Sequence, residues 1–103
     1  MNARIAIDHG KISSFCRTWK IVELALFGSV LRDDFGPQSD VDVLVTFAPD
    51  AHWSLFDLAR MQDALKEMFG HKVDLVSRRG IEASQNWLRR REILSSAQVV
   101  SAA

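Results

Sequence analysis

The 103-residue sequence has no tyrosine, one cysteine, two prolines and no excess of charge of either sign. With Cys16 alone, no disulfide can form within the chain, and a single unpaired thiol fits a reducing, cytoplasmic compartment. Lys and Arg together number 13, as do Asp and Glu, so the formal net charge is zero. That balance argues against a strongly basic nucleic-acid binder and gives no support to a membrane-surface binder. No charged start leads into a long apolar run, so neither a signal peptide nor a transmembrane helix is expected. Internal repeats, low-complexity stretches and linkers are lacking too. Without tyrosine, any chemistry on a phenolic hydroxyl would need that hydroxyl from another molecule.

What is present is an ordinary globular composition, 48% hydrophobic and 25% charged, over the length of a single domain spanning residues 1–103. The charge is uneven. Residues 1–77 carry 8 basic and 11 acidic side chains, and residues 78–103 carry 5 basic and 2 acidic. The basic tail would suit a protein partner or an RNA and does not choose between them.

Hydrophobic spacing predicts a first helix over residues 8–19, with Asp8 as its N-cap and Ile12, Phe15, Cys16 and Trp19 on one face. Residues 21–27 (IVELALF) are nearly continuous apolar, as in a buried central strand ended by Gly28. Residues 28–39 form a turn-rich connection with room for one helical turn after Ser29. Residues 40–47 alternate as a strand, with Val41, Val43 and Val45 on one face and Asp40, Asp42, Leu44 and Thr46 on the other. Ser54 and Asp57 make a capping box for a helix over 55–69, whose stripe is Leu55, Leu58, Met61, Leu65 and Met68, and Gly70 ends it. Residues 72–77 read as a third strand, Arg78-Arg79-Gly80 as a turn, and 85–96 as a last helix. The order α-β-β-α-β-α predicts an α/β domain, a small mixed β-sheet flanked by helices.

The chemistry concentrates at two places. Asp40 and Asp42 are two apart in a strand, so their carboxylates share one face and repel unless a cation resolves the repulsion. Mg²⁺ prefers such oxygens and completes its shell with water and substrate phosphates. Asp74, between Val73 and Leu75, repeats the pattern. If its strand is a neighbour, three carboxylates converge, the minimum for two metals about 3.5–4 Å apart. Gly28-Ser29 directly follows a buried strand, where a glycine lets backbone approach a ligand and N–H groups can cradle phosphate. Arg32, three residues on, is placed to reach the same phosphates or to pair with Asp33 and Asp34.

Gly28-Ser29, ten residues, then Asp40-Val41-Asp42 resembles the GS-x10-DxD signature of the minimal nucleotidyltransferases, in the DNA polymerase beta-like superfamily. The apolar strand before the glycine and the later lone Asp74 belong to the same resemblance, which covers residues 21–77. It implies that Gly28 and Ser29 hold the triphosphate of ATP, that Asp40 and Asp42 bind two Mg²⁺ ions, and that Asp74 binds the catalytic metal and helps deprotonate the acceptor hydroxyl. The helical domain that larger members append has no counterpart in these residues. Small members of this kind pair with all-helical HEPN ribonuclease toxins and act as antitoxins that attach AMP to a toxin tyrosine. Residues 87–97 (WLRRREILSSA) also look like that subfamily. The implied activity is protein adenylylation in the cytoplasm. The implied partner is a HEPN-type toxin, bound as a hetero-oligomer, with no membrane and no stable nucleic-acid binding. The alternatives are a non-catalytic antitoxin that masks its toxin by contact, or a nucleotidyltransferase acting on a small molecule or an RNA.

Other residues read as ordinary structure. Cys16 lies on an apolar stripe with no paired histidine, so packing is the expectation. His9, His52 and His71 sit at element ends without metal-ligand spacing. Arg89, Arg90 and Arg91 read as a solvated helix face outside the metal face, or as a partner or RNA contact. Trp53 and Trp87 have rings able to stack on a base, but core or interface packing is the expectation for each.

Overall fold

A computed structural model describes residues 5–102 of the chain; the remaining positions of the 1–103 domain lie outside the described residues. Helix α1 (His9–Thr18) starts where the Asp8 carboxylate accepts from the Lys11 N–H, and it buries Ile12, Phe15 and Cys16. Strand β1 (Ile21–Phe27) runs straight into a single 3₁₀ turn (Gly28–Leu31), the helical turn expected after Ser29. Strand β2 (Val41–Phe47) follows, then helix α2 (Leu55–Phe69). The capping box of α2 is formed: the Ser54 hydroxyl accepts from the Asp57 N–H, and the Asp57 carboxylate accepts from the Ser54 N–H. Gly70 closes the helix in the left-handed region at φ 71°.

After strand β3 (Val73–Ser77) the chain departs from the expected plan. The turn expected at Arg78-Arg79-Gly80 is a short helix, α3 (Arg78–Glu82), because the Ser77 hydroxyl caps it by accepting from Gly80 N–H and Ile81 finds a buried seat. Helix α4 (Trp87–Ser96) is the expected last helix, but it hands over to a further strand, β4 (Gln98–Ala102), absent from the sequence plan.

The described residues form one four-stranded sheet in the order β3-β2-β1-β4. β1 is central, as its apolar run predicts, and is antiparallel to both β2 and β4. β2 and β3 are parallel, with α2 as the crossover. Side-chain alternation splits the sheet into two faces. On one, Leu24, Leu26, Val41, Val43, Val45 and Val73 pack against Ile12, Phe15 and Cys16 of α1 and Met61, Leu65 and Phe69 of α2. Gln62 of α2 ties this layer to the sheet by accepting from the Leu75 N–H at 3.0 Å. On the other, Ala25, Phe27 and Leu44 pack against Ile81 of α3 and Ile93 of α4. Burial pushes the Cys16 thiol above its ordinary pKa, which fits its reading as a packing residue.

The mixed sheet flanked by helices is therefore the architecture observed. The smaller core beneath α3 and α4 shares its sheet face with Asp42 and Asp74.

Candidate active site

The parallel register of β2 and β3 pairs Asp42 directly with Asp74, and the antiparallel register of β1 and β2 pairs Phe27 with Asp42. Phe27, Asp42 and Asp74 thus form one row across three strands. Gly28 leaves the sheet at the end of that row, and Asp40 enters it one residue before β2. The topology explains why residues so far apart in sequence meet. A hairpin-like return brings the end of β1 beside the start of β2, and the crossover brings the start of β3 beside the start of β2.

Gly28 is required here twice over. Its φ of 75° lies where L side chains are strained, and a Cβ built on it would collide with the Asp42 carboxylate, whose Cγ would lie 3.2 Å away. The chain turns out of the sheet against the carboxylate itself. Gly70 has a similar φ of 71° but nothing within 4 Å of a built Cβ. Gly70→Ala is therefore expected to show the backbone cost alone, about 1–3 kcal/mol. Gly28→Ala is expected to lose more stability than that and to displace Asp42. Thermal melting of the two variants side by side checks this.

Asp40 is held in place through the backbone around it. The Ser29 hydroxyl donates to the Asp40 carbonyl at 3.3 Å, joining the Gly-Ser turn to the entry of β2. His71 Nδ1 lies 3.1 Å from the Ser39 carbonyl oxygen, which can only accept, so the nitrogen carries the proton. Phe35 packs on the same imidazole with centroids 4.8 Å apart. The Val41 N–H donates to the Lys72 carbonyl at 2.8 Å. His71 is thus a positioning residue for the loop that delivers Asp40. From sequence it was visible only as a histidine at an element end.

Asp42 is half-buried, whereas Asp40 and Asp74 are exposed. Burial pushes the Asp42 carboxyl above the usual carboxylate range, and the charges of Asp74 and Asp40 push it further; Arg32 and Arg89 act in the opposite direction. Asp42 thus feels both of the other aspartates. They do not close around an ion unaided: among the described residues no group of three His, Cys, Asp or Glu side chains is placed to hold a metal. Mg²⁺ does not demand such a cage, since one or two carboxylates, waters and substrate phosphates suffice. An all-oxygen donor set with mutually repelling charges fits that hard cation.

Arg32 forms the ion pair expected with a neighbouring aspartate. It lies 3.5 Å from Asp34 in an exposed ion pair, and it lines a cleft of about 400 Å³ beside Gly28. The arginine run divides three ways. Arg89 lines the same cleft as Arg32. Arg90 donates to the Glu82 carbonyl at 3.1 Å and ties α4 to the end of α3. Arg91 is exposed. The expectation that the whole run lies outside the metal face is corrected for Arg89, because α4 packs on the sheet face that carries Asp42 and Asp74. Trp53 is a packing residue as expected: its indole N–H donates to the Trp19 carbonyl at 2.9 Å and its ring meets Trp19 edge-on.

The chain has known relatives. The sequence pattern of the nucleotidyltransferase domain matches residues 11–100, nearly the whole chain. The chain belongs to the nucleotidyltransferase domain family. A protein of Methanocaldococcus jannaschii, provisionally named a protein adenylyltransferase, is 32% identical over 63 residues, covering 61% of this chain and 63% of its own length. The chain thus spans less than two thirds of that curated relative. A solved structure described as a minimal nucleotidyltransferase is 34% identical, with a TM-score of 0.66 over 87% of this chain and 86% of its own. The fold also resembles one chain of a solved complex of a tri-AMPylated Shewanella oneidensis HEPN toxin with an MNT antitoxin, at TM-score 0.62 and 20% identity over 92% of this chain and 70% of that one. In this nucleotidyltransferase domain, among the described residues, no helix is long and apolar enough to cross a membrane.

Proposed function

We propose that this protein transfers AMP from ATP to a hydroxyl group of a partner protein, a HEPN-type toxin, and thereby acts as its antitoxin. The observation that carries the reading is the row in which Gly28 turns out of the sheet against Asp42, with Asp74 in register beside it. The name of the Methanocaldococcus relative and the AMPylated toxin in the Shewanella complex support protein as the acceptor class. This chain has no tyrosine, so a tyrosine acceptor is supplied by the partner.

In this reading the glycine gives the phosphates access to the backbone of the turn, and Ser29 and Arg32 orient them. The acceptor oxygen bonds to the α-phosphorus, the α–β phosphate bridge breaks, and pyrophosphate leaves. Asp74, exposed at the rim of the row, takes the proton of the acceptor hydroxyl. Asp40, Asp42 and Asp74 would hold two Mg²⁺, which supply neutralisation of phosphate charge when bound.

Ser29 has a structural duty in the absence of nucleotide, its bond to the Asp40 carbonyl. Ser29→Ala is therefore expected to weaken ATP binding by roughly 1.5–3 kcal/mol, the worth of a hydrogen bond to a charged group, while the chain stays folded. Calorimetric titration with ATP and Mg²⁺ reads this directly, and unchanged affinity and rate would remove Ser29 from the phosphate site.

The reading itself is tested by co-expressing the protein with a HEPN partner, or incubating the two with ATP and Mg²⁺, and weighing the partner by mass spectrometry. The expected result is the partner's mass increased by one or more AMP units, on a hydroxyl side chain. An unmodified partner in a complex that nonetheless forms would favour masking by contact.

A further inference from the structure

Between the Gly28 turn and α4 runs a cleft of about 400 Å³, lined among others by Gly28, Arg32, Arg89, Glu92, Ser96 and Gln98. It opens beside the aspartate row, because Gly28 abuts Asp42 and Gln98 pairs with Leu26 of β1. The two ends of the site therefore carry opposite charge: carboxylates along β2 and β3, guanidiniums across the turn. The two arginines are not equivalent. Arg32 already has Asp34 at 3.5 Å. No hydrogen bond or ion pair among the described residues engages the Arg89 guanidinium, although its backbone N–H is bound to Asn86 at the cap of α4.

Helical geometry makes this specific to one arginine of the run. Successive residues of a helix are about 100° apart, so consecutive arginines cannot face the same way. Burial of Ile93 against the sheet fixes the roll of α4. Arg89, four residues earlier and on the same side, then faces the sheet end that carries Gly28. Arg90 is turned to Glu82 and Arg91 to solvent.

We infer that Arg89 is a polyphosphate-binding residue: it holds the phosphates beyond the α-phosphate, those that leave as pyrophosphate, in the cleft between α4 and the Gly28 turn. The inference rests on the nucleotidyltransferase reading above. A polyphosphate approaching the aspartate row meets like charge, and an exposed guanidinium on the far side of the turn gives its outer phosphates a bidentate partner. Glu92 lines the same cleft and works against the anion, so the two residues have opposite expected effects. The charge that Asp42 senses from Arg89 agrees with this placement.

The experiment is calorimetric titration of the full chain with inorganic tripolyphosphate, ATP and AMP, each with Mg²⁺, alongside initial-rate kinetics. For Arg89→Ala, tripolyphosphate and ATP are expected to bind about tenfold to a hundredfold more weakly while AMP binding is unchanged. Arg89→Lys, which keeps the charge but not the fork, falls between. Glu92→Gln binds tripolyphosphate more tightly than wild type, and Arg91→Ala binds as wild type does. Circular dichroism confirms that each variant is folded; Arg89 is exposed, so its truncation leaves the core intact. If wild type binds tripolyphosphate and Arg89→Ala binds it equally well, the assignment of Arg89 is wrong and the nucleotidyltransferase reading stands. If Arg91→Ala loses as much as Arg89→Ala, the effect is general charge and the assignment is again overturned. If folded wild type binds neither tripolyphosphate nor ATP, the underlying reading fails with it.

Discussion

Replacing Asp40 and Asp42 together by asparagine is expected to lower AMP transfer at least about a thousandfold, equivalent to about 4 kcal/mol of transition-state stabilisation, without unfolding the chain. The substitution keeps shape and removes two anionic oxygens from the face where Gly28 turns out of the sheet. Phosphate charge that the site must neutralise then lacks its cation anchors. The fold is spared because neither side chain belongs to either core; Val41, Val43 and Val45 carry the packing of β2 from the opposite face. Stability should move the other way from activity. Burial and the charges of Asp74 and Asp40 raise the pKa of Asp42 in the folded chain, so ionising it opposes folding. That penalty is present above the raised pKa and fades as the pH falls through it, because wild-type Asp42 then takes up a proton. In metal-free buffer the variant should melt at or above wild type near neutrality, and the difference should shrink on acidification. Transfer measured by mass spectrometry and melting measured across pH are the two readouts, and normal turnover in the folded double variant would sink the metal assignment.

Much of this site can be read in the sequence because its determinants are local. The spacing from Gly28-Ser29 to Asp40 and Asp42, the alternation of β2 and the apolar run of β1 each depend on near neighbours. The α2 helix begins and ends where Ser54, Asp57 and Gly70 put it. Asp74 is legible as a carboxylate on a strand, but its pairing with Asp42 depends on which strand lies beside β2, and that is a property of the whole sheet. The same limit explains β4. Gln98–Ala102 carries too little apolar pattern to declare itself, and it is ordered by pairing with β1 at the sheet edge. Gly80 reads as a turn residue because glycine costs about 1 kcal/mol in a helix interior. The Ser77 cap and the burial of Ile81 outweigh that cost. Arg89 is the clearest case. In the run Arg89-Arg90-Arg91 nothing local distinguishes one arginine from the next; the seating of Ile93 on the sheet decides, and that is a tertiary fact.

A trace of wild-type protein with ATP and Mg²⁺ is expected to silence an excess of its toxin, and the toxin should stay silent after the protein is removed. A covalent product outlasts the encounter that made it, whereas masking by contact requires continued occupancy and about one copy per toxin. Asp74→Asn should abolish the substoichiometric effect. Asp74 is exposed at the rim of the row, in register with Asp42, where an acceptor hydroxyl would approach; the amide of asparagine neither takes its proton nor carries the charge that anchors a cation. Binding to the toxin should survive the change, since asparagine has nearly the shape of aspartate and Asp74 belongs to neither core. The variant therefore becomes a stoichiometric neutraliser at best, and the titration curve separates the two mechanisms by its endpoint: well below one copy per toxin for wild type, one or more for Asp74→Asn. Equal neutralisation by both proteins, reached only at a one-to-one ratio or above, would mean that the aspartate row does no chemistry on the toxin and that contact alone restrains it.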